Sequence, residues 1–434
     1  MEVNNKSFLY FICVVSAMGG LLFGYDWVVI GGAKPFYELF FGISQNPVLQ
    51  GVAMSTALVG CLIGAMTAGA LADRYGRKRL LIFAAIMFTI SAIGTGAFND
   101  FIIFNIARFV GGVGIGLAST VSPMYIAEVS PAEIRGRMVS LNQMTIVLGI
   151  LSAQIVNMVL AEPVDSALPS AELLKTWNVT VGWRWMFWAE TIPAAIFLFL
   201  SLFIPESPVY VALRDGFVKN EPQASLKDLF VPKYAKVLVL GIVVAVFQQW
   251  CGTNVIFNYA EEIFRGAGYE VDDMFINIVV TGIANVIFTI VAIYTIEKWG
   301  RRTLVLTGAL GLCLIYLTLG TCYALHVTGI VMVILVVLAI SCYAMTLGPV
   351  TWVLLSEIFP HKVRGIAMAV CTFSLWAGCC TLTFSFPPMN AALGSSGTFW
   401  IYSAICMCAF IYLFRSCPET KGKSLEDLEK ELVK

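Results

Sequence analysis

Polar and charged residues fall in short clusters along this 434-residue chain, and between the clusters lie apolar runs of about 20 residues, the length a helix needs to cross hydrocarbon. The runs cover 8–33, 48–72, 80–98, 101–127, 138–160, 182–204, 236–264, 273–296, 303–325, 329–356, 365–386 and 397–415. Twelve membrane-spanning helices are predicted. The first run is expected to be retained. It is longer than the apolar core of a cleavable leader, Lys6 is the only base ahead of it, and Asp26 and Trp27 stand where small residues would mark a cleavage site.

Composition agrees with the pattern. Hydrophobic residues make up 59% of the chain and charged residues only 12%, against about 25% charge in soluble domains, so an all-α membrane protein is expected. Net charge is zero, which points away from nucleic acid. The two histidines, His326 and His361, fall in predicted loops, and the twelve cysteines include no C-x-x-C pair and are expected to be reduced small hydrophobes. Neither a metal nor a cofactor is expected.

The charges matter through their placement. Roughly twenty-two of the 27 lysines and arginines lie on one side of the predicted spans, at Lys6, Arg74 to Arg79, Arg135 and Arg137, residues 214–236, Lys298 to Arg302, Lys362 and Arg364, and from Arg415 onward. The other side has Lys34, Lys175, Arg184 and Arg265. Both termini are therefore expected to be cytoplasmic, as an even number of spans requires. A polar stretch at 205–235, with Pro205, Pro208, Pro222 and Pro232, divides six spans from six. The expected organisation is a half at 1–204, a cytoplasmic linker at 205–235 with short amphipathic helices around 223–231, a second half at 236–415 and a cytoplasmic tail at 416–434.

The halves repeat each other. Asp73-Arg-Tyr-Gly76-Arg77-Lys78-Arg79 returns as Glu297-Lys-Trp-Gly300-Arg301-Arg302. Glu128-Val-Ser-Pro-Ala-Glu-Ile-Arg135 returns as Glu357-Ile-Phe-Pro-His-Lys-Val-Arg364, and Pro205-Glu206-Ser207 as Pro418-Glu419-Thr420, at spacings of about 213 to 229 residues. Parallel six-span repeats mark a transporter that rocks two halves about a central site. Loop topology alone explains the arginines but not the paired acids or the turn glycines. Asp73, Arg74, Arg77, Glu128, Arg135, Glu297, Arg301, Glu357 and Arg364 are expected to form a charge lattice that gates the cytoplasmic side.

Gly112-Val-Gly114-Ile-Gly116 has the look of a dinucleotide loop, but it lies inside a membrane-length apolar run with no strand before it, so close helix packing is expected there. In the same run Arg108 needs an anion, and the spans offer Asp26 and Glu190. Such a cluster is either a static buried salt bridge or a proton switch, in which burial and a neighbouring guanidinium pull a carboxyl in opposite directions and pH decides its charge. In the second half, Gln248, Gln249 and Asn254 surround Gly252, Asn285 lies in the eighth span, and Trp352 and Trp376 in the tenth and eleventh. A helix break near Gly252 would let the amides face one cavity. Amides that both donate and accept, with indole faces beside them, suit the hydroxyls and C–H face of a sugar.

Taken together, Phe23-Gly-Tyr-Asp26, Asp73-Arg-Tyr-Gly-Arg-Lys78, Pro205-Glu-Ser-Pro208, Gln248-Gln249, Gly348-Pro349 with Trp352, and Pro418-Glu-Thr-Lys-Gly-Lys423 closely resemble the sugar porter family of the major facilitator superfamily, most of all its bacterial proton-coupled members for xylose, galactose and arabinose. The resemblance implies the major facilitator fold, twelve transmembrane helices in two pseudo-symmetric six-helix bundles. It implies Asp26 as proton acceptor with Arg108 and Glu190 as partners, and a sugar site made of Phe23, Gln248, Gln249, Asn254, Asn285, Gly348, Trp352 and Trp376. Facilitative members tend to have a neutral residue in place of Asp26, so the resemblance favours symport over uniport. Ile150, Leu375 and Asn258 depart from the family's pattern of sugar-binding residues, and Gln154, one turn beyond Ile150, could compensate; Val209 replaces an arginine of the linker motif.

The expected activity is proton-coupled symport of a pentose or hexose by alternating access, in a monomer of the bacterial inner membrane whose partners are the sugar, protons and the lipid bilayer. A facilitator of the same fold is the nearest alternative. A sugar sensor would be expected to carry a longer tail, and an enzyme would need a nucleophile with its base or a metal-ligand cluster within the spans.

Overall fold

The computed structural model describes residues 6–131, 134–163, 169–215, 229, 231–360 and 363–421. The amphipathic stretch expected around 223–231 falls almost wholly outside these residues, as do His361 and the tail beyond Lys421. The regular structure among the described residues is helical. In lipid a backbone must satisfy its own polar groups, which a chain of such apolar runs does most directly as helices.

The first half opens with α1 (Lys6–Phe40), α2 (Pro47–Tyr75), α3 (Arg77–Ala97), α4 (Phe101–Val129) and α5 (Arg135–Leu160). Asn46 and Asp100 cap α2 and α4, each accepting from backbone N–H groups of the first turn. After the single turn α6 (Ser170–Leu173) and a π-helical turn at Asn178–Gly182 come α7 (Trp183–Trp188), α8 (Thr191–Ser201) and the short α9 (Pro208–Arg214). The second half consists of α10 (Pro232–Trp250), α11 (Thr253–Asn258), α12 (Ala260–Gly266), α13 (Val271–Trp299), α14 (Arg301–Ala324), α15 (Ile330–Met345), α16 (Leu347–Ile358) and α17 (Arg364–Ser416).

Among the described residues, ten segments are long and apolar enough to cross a membrane. The twelve predicted spans are reconciled with them by two features. The sixth predicted span is divided between α7 and α8, with Ala189 and Glu190 between them, so neither piece is long enough by itself. The eleventh and twelfth run together as α17, whose 53 residues would extend about 80 Å as one helix, far beyond the hydrocarbon thickness. Gly394, at φ 68° and ψ 172°, breaks it into two spans. The chain is thus an all-α, multi-pass membrane protein of twelve spans.

Two compact units emerge, one of residues 1–220 with 270–282 and the other of 221–269 with 283–434. In the first, α2 and α3 pack on α4, and α1 packs on α5. Glycine permits the close approach. A methyl group at Gly112 would overlap the Ala57 carbonyl oxygen of α2, and one at Gly116 the Cys61 carbonyl oxygen, while α2 answers with Gly60 and Gly64 against the Phe109 and Val113 carbonyls. The run 112–116 is therefore a helix-packing surface, as its place in an apolar segment suggested. In the second unit α17 packs on α14 and α10, and α14 on α15.

Candidate functional site

In the first unit, α1 and α4 hold a pair of charges away from solvent. Asp26 is 1% exposed, Arg108 2% and Glu190, at the join of α7 and α8, 1%. Arg108 Nη1 donates to Asp26 Oδ1, and its Nη2 donates to the Asp26 backbone carbonyl at 3.2 Å. Glu190 lies close enough to interact with both Asp26 and Arg108. Two carboxyls, within side-chain hydrogen-bond reach of each other, thus share one guanidinium, whose Nε has no hydrogen-bond partner among the described residues. Gly111 leaves the room the cluster needs, since a Cβ there would stand 3.1 Å from Asp26 Oδ2 and overlap Ser91 Oγ. Arg108 also lies over the Phe187 ring at 5.4 Å, and the Tyr25 hydroxyl donates to the Met186 carbonyl at 3.0 Å, which ties α1 to the same part of α7.

At the ends of α2, α3 and α4 where the basic loops gather, Arg77 is the hub. Its Nη2 reaches Glu128 Oε1 at 3.0 Å and Asp73 Oδ1 at 3.1 Å, its Nε reaches Glu128 Oε1 at 3.2 Å, and its Nη1 donates to the Ala72 carbonyl at 3.0 Å. The Ser207 hydroxyl donates to the other Glu128 oxygen. Glu206 Oε1 accepts from the backbone N–H of Arg77 at 2.9 Å and of Lys78 at 3.0 Å, so it neutralises the amino end of α3 from a distant part of the chain. Gly76, at φ 95°, lets this carboxylate in, because a side chain there would collide with Glu206.

The second unit repeats these contacts. Arg301 Nη2 pairs with Glu357 Oε1 at 3.0 Å, Thr420 Oγ1 donates to Glu357 Oε2 at 2.5 Å, and Glu419 Oε1 accepts from the Arg301 backbone N–H at 3.0 Å beside Gly300 at φ 86°. Lys78 Nζ donates to the Leu202 carbonyl as Arg302 Nη2 does to the Phe414 carbonyl, at 2.8 and 2.7 Å. Arg135 and Arg364 turn back on the carbonyls of Ser130 and Phe359, at 3.4 and 3.0 Å, and Arg74 sits over the Tyr75 ring. The Glu297 side chain lies outside the described residues. Glu206, Ser207, Glu419 and Thr420 were not expected in the lattice. Their signal was the third repeated motif, Pro-Glu-Ser and Pro-Glu-Thr, read as a mark of duplication and not as a set of ligands.

The amides of the second half form a chain. Gly252, at φ 88°, ends α10 and starts α11, and its position against the Tyr402 ring leaves no room for a Cβ. Across that break the Asn254 amide donates to Gln249 Oε1, Gln249 Nε2 to Gln248 Oε1 at 2.7 Å, and Gln248 Nε2 to the Tyr343 hydroxyl at 2.7 Å. All three amides are buried. Tyr343, which the sequence did not single out, closes the chain, and a Cβ at Gly348, just past the break between α15 and α16 at Thr346, would stand 3.4 Å from its ring. Asn285 is buried on α13 and Trp376 on α17, whereas Trp352 on α16 is 38% exposed. Phe23, on α1 in the other unit, makes an edge contact with Trp27 at 5.6 Å between ring centroids.

The sequence model of the sugar (and other) transporter family matches residues 12–227 and again 215–432, one match for each half of the repeat. The chain is 34% identical over 482 residues to the D-xylose-proton symporter of Escherichia coli strain K12, covering 98% of this chain and 96% of that one. It is 34% identical over 458 residues to the arabinose-proton symporter of Bacillus subtilis strain 168, covering 99% and 96%. The fold matches the inward-open conformation of the xylose transporter of E. coli with a TM-score of 0.84 at 35% identity, over 98% of this chain and 100% of that one.

Proposed function

The chain belongs to the sugar (and other) transporter family, and we propose that it carries a monosaccharide, a pentose or hexose, across the membrane together with a proton by alternating access. The observation that carries this reading is the buried Asp26–Arg108–Glu190 cluster. Three ionisable groups in hydrocarbon are costly, and here two adjacent carboxyls share a single guanidinium, so one negative charge is left without a match unless a proton is taken up.

In this reading Asp26 takes up the proton. Once neutral it no longer holds the Arg108 guanidinium, which then finds its remaining anion in Glu190. The sugar is bound by Gln248, Gln249, Asn254, Asn285, Gly348, Trp352 and Trp376, with Phe23 contributed by the first half. Gln248 and Gln249 each exchange a neighbour for a hydroxyl at little cost, because each already both donates and accepts, and Asn254, which only donates along the chain, has its carbonyl oxygen to offer. Asp73, Arg74, Arg77, Glu128, Arg135, Glu297, Arg301, Glu357 and Arg364 gate the cytoplasmic side, now with Glu206, Ser207, Glu419 and Thr420. The division at 1–204, 205–235, 236–415 and 416–434 is kept, with the termini cytoplasmic and a monomer in the bacterial inner membrane. The sugar leaves unchanged, so no catalytic step is assigned.

The test is made on protein reconstituted in vesicles. Adding xylose, arabinose, galactose or glucose in turn should alkalinise the medium for the sugar that is carried. Sugar exchange without proton movement would overturn symport and leave facilitative uniport.

A further inference from the structure

At the end of the second unit opposite its charge lattice lies a cavity of about 300 Å³, the size at which small-molecule sites begin. It is lined by Gly266 of α12, Tyr323 in the last turn of α14, His326 and Thr328 just beyond that turn, and Ser395 and Ser396 after the break in α17. From Arg301 in the lattice, the 24 residues of α14 carry the chain about 36 Å to this end, the outer face in the reading above. Helices α1, α12 and α14 close on the same pair of backbone bonds, which needs a residue in the left-handed region. In α1 that residue is Gly42, at φ 67°, and in α12 it is Gly268, at φ 86°; in α14 it is His326, at φ 54°. His326 is the one non-glycine residue with positive φ among the described residues. A Cβ is disfavoured there, and glycine would serve the helix end better. The helix end therefore does not account for the histidine, and its side chain lines the cavity.

The rest of the lining defines what the cavity can take. It holds no carboxylate, lysine or arginine among the described residues, so it does not match a phosphate or another ion. Thr328, Ser395 and Ser396 bring hydroxyls that donate and accept, and the imidazole adds two ring nitrogens. The Tyr323 hydroxyl donates to the Ile263 carbonyl at 2.6 Å, which fixes the ring. Gly266 keeps that ring uncovered, because a Cβ there would stand 3.2 Å from Tyr323 Cε1. Hydroxyls beside an aromatic ring suit a neutral, hydroxylated ring compound. We propose that this cavity is a second binding site, for a free monosaccharide at the outer face, separate from the Gln248–Gln249–Asn254 chain. That the occupant is the carried sugar rests on the sugar reading above.

The experiment is saturation-transfer NMR of xylose, arabinose, galactose and glucose with the full-length protein in phospholipid nanodiscs, free of sugar-headed detergent. Gln249→Ala cuts the amide chain, so the binding that survives it reports the cavity. Adding His326→Gly should weaken that surviving binding at least about tenfold, while the unfolding temperature holds or rises. Gly266→Leu, which fills the space, should abolish it, and His326→Asn, which tolerates the left-handed conformation and stays polar, should lie between. Surviving binding that ignores His326→Gly and Gly266→Leu would overturn the inference. So would the absence of surviving binding in Gln249→Ala when the unaltered protein binds the sugar, and sugar transport would then stand. Binding untouched by Gln249→Ala but lost with His326→Gly would keep the cavity and overturn the amide chain as the sugar site. No binding of any sugar by the unaltered protein would overturn both.

Discussion

Asp26 gives one carboxylate oxygen to Arg108 and shares that guanidinium with Glu190, and this sharing decides what its substitution should do. Asn keeps the size and one acceptor but cannot change charge. Asp26→Asn should therefore retain sugar binding and sugar exchange and lose accumulation. The membrane potential contributes about 2.3 kcal/mol per charge per 100 mV, enough for roughly fifty-fold accumulation, so the ratio should fall from that order to unity. Labelled sugar uptake in energised vesicles measures it, and undiminished accumulation would remove Asp26 from the coupling. Glu190→Gln should keep binding but slow coupled uptake, because Arg108 loses its alternative anion; net uptake and exchange measured side by side separate the two effects. Arg108 was conspicuous in the sequence as a lone base in an apolar run, and its partners were found by asking which acids shared the hydrocarbon. Glu206 escaped the same reasoning because a carboxylate capping a helix from 129 residues away leaves no local trace.

At the scale of elements, glycine has two separate duties. Gly112 and Gly116 let α4 lie against α2, so a side chain there has no rotamer that relieves the overlap with a backbone carbonyl. Gly112→Leu should prevent the first unit from packing, and should be recovered as aggregate by size-exclusion chromatography in mild detergent. Gly252 holds a left-handed residue between two helical segments, which costs about 1–2 kcal/mol for any residue with a Cβ. Gly252→Ala adds to this the collision with the buried Tyr402 ring, so it should lower the unfolding temperature and pull Asn254 away from Gln249, weakening sugar binding at least about tenfold, as thermal unfolding and titration calorimetry would measure. Apolar length alone predicted the helices, and the break at Gly252 was visible because two amides six residues apart need one to face the same way. The division of the sixth span at Ala189–Glu190 was not visible, because hydropathy averages over the buried glutamate that interrupts it. Tyr343 was missed for a related reason: a tyrosine in an apolar run reads as packing until its hydroxyl is seen accepting from Gln248.

On the scale of the whole molecule the duplication extends to individual atoms. Arg77, Glu128, Glu206 and Ser207 have their counterparts in Arg301, Glu357, Glu419 and Thr420, down to the backbone N–H that each distant carboxylate receives. The two halves keep this set together with Gly76 and Gly300 at the helix junctions, and each set closes on residues of its own unit. Neutralising the central acid removes the charge opposite a buried guanidinium and leaves the hydroxyl of Ser207 or Thr420 facing an amide. Glu128→Gln should therefore destabilise its lattice by about 2 kcal/mol, and Glu357→Gln, where the carboxylate is somewhat more exposed, by no more than that. Sites that share no partner contribute independently, so the double variant should lose the sum of the two. Thermal unfolding of the single and double variants in one detergent gives the comparison. A double variant no worse than the worse single one would mean that the two lattices act as one lock across the repeat, and the gate would then have to be redrawn as a single structure instead of two copies.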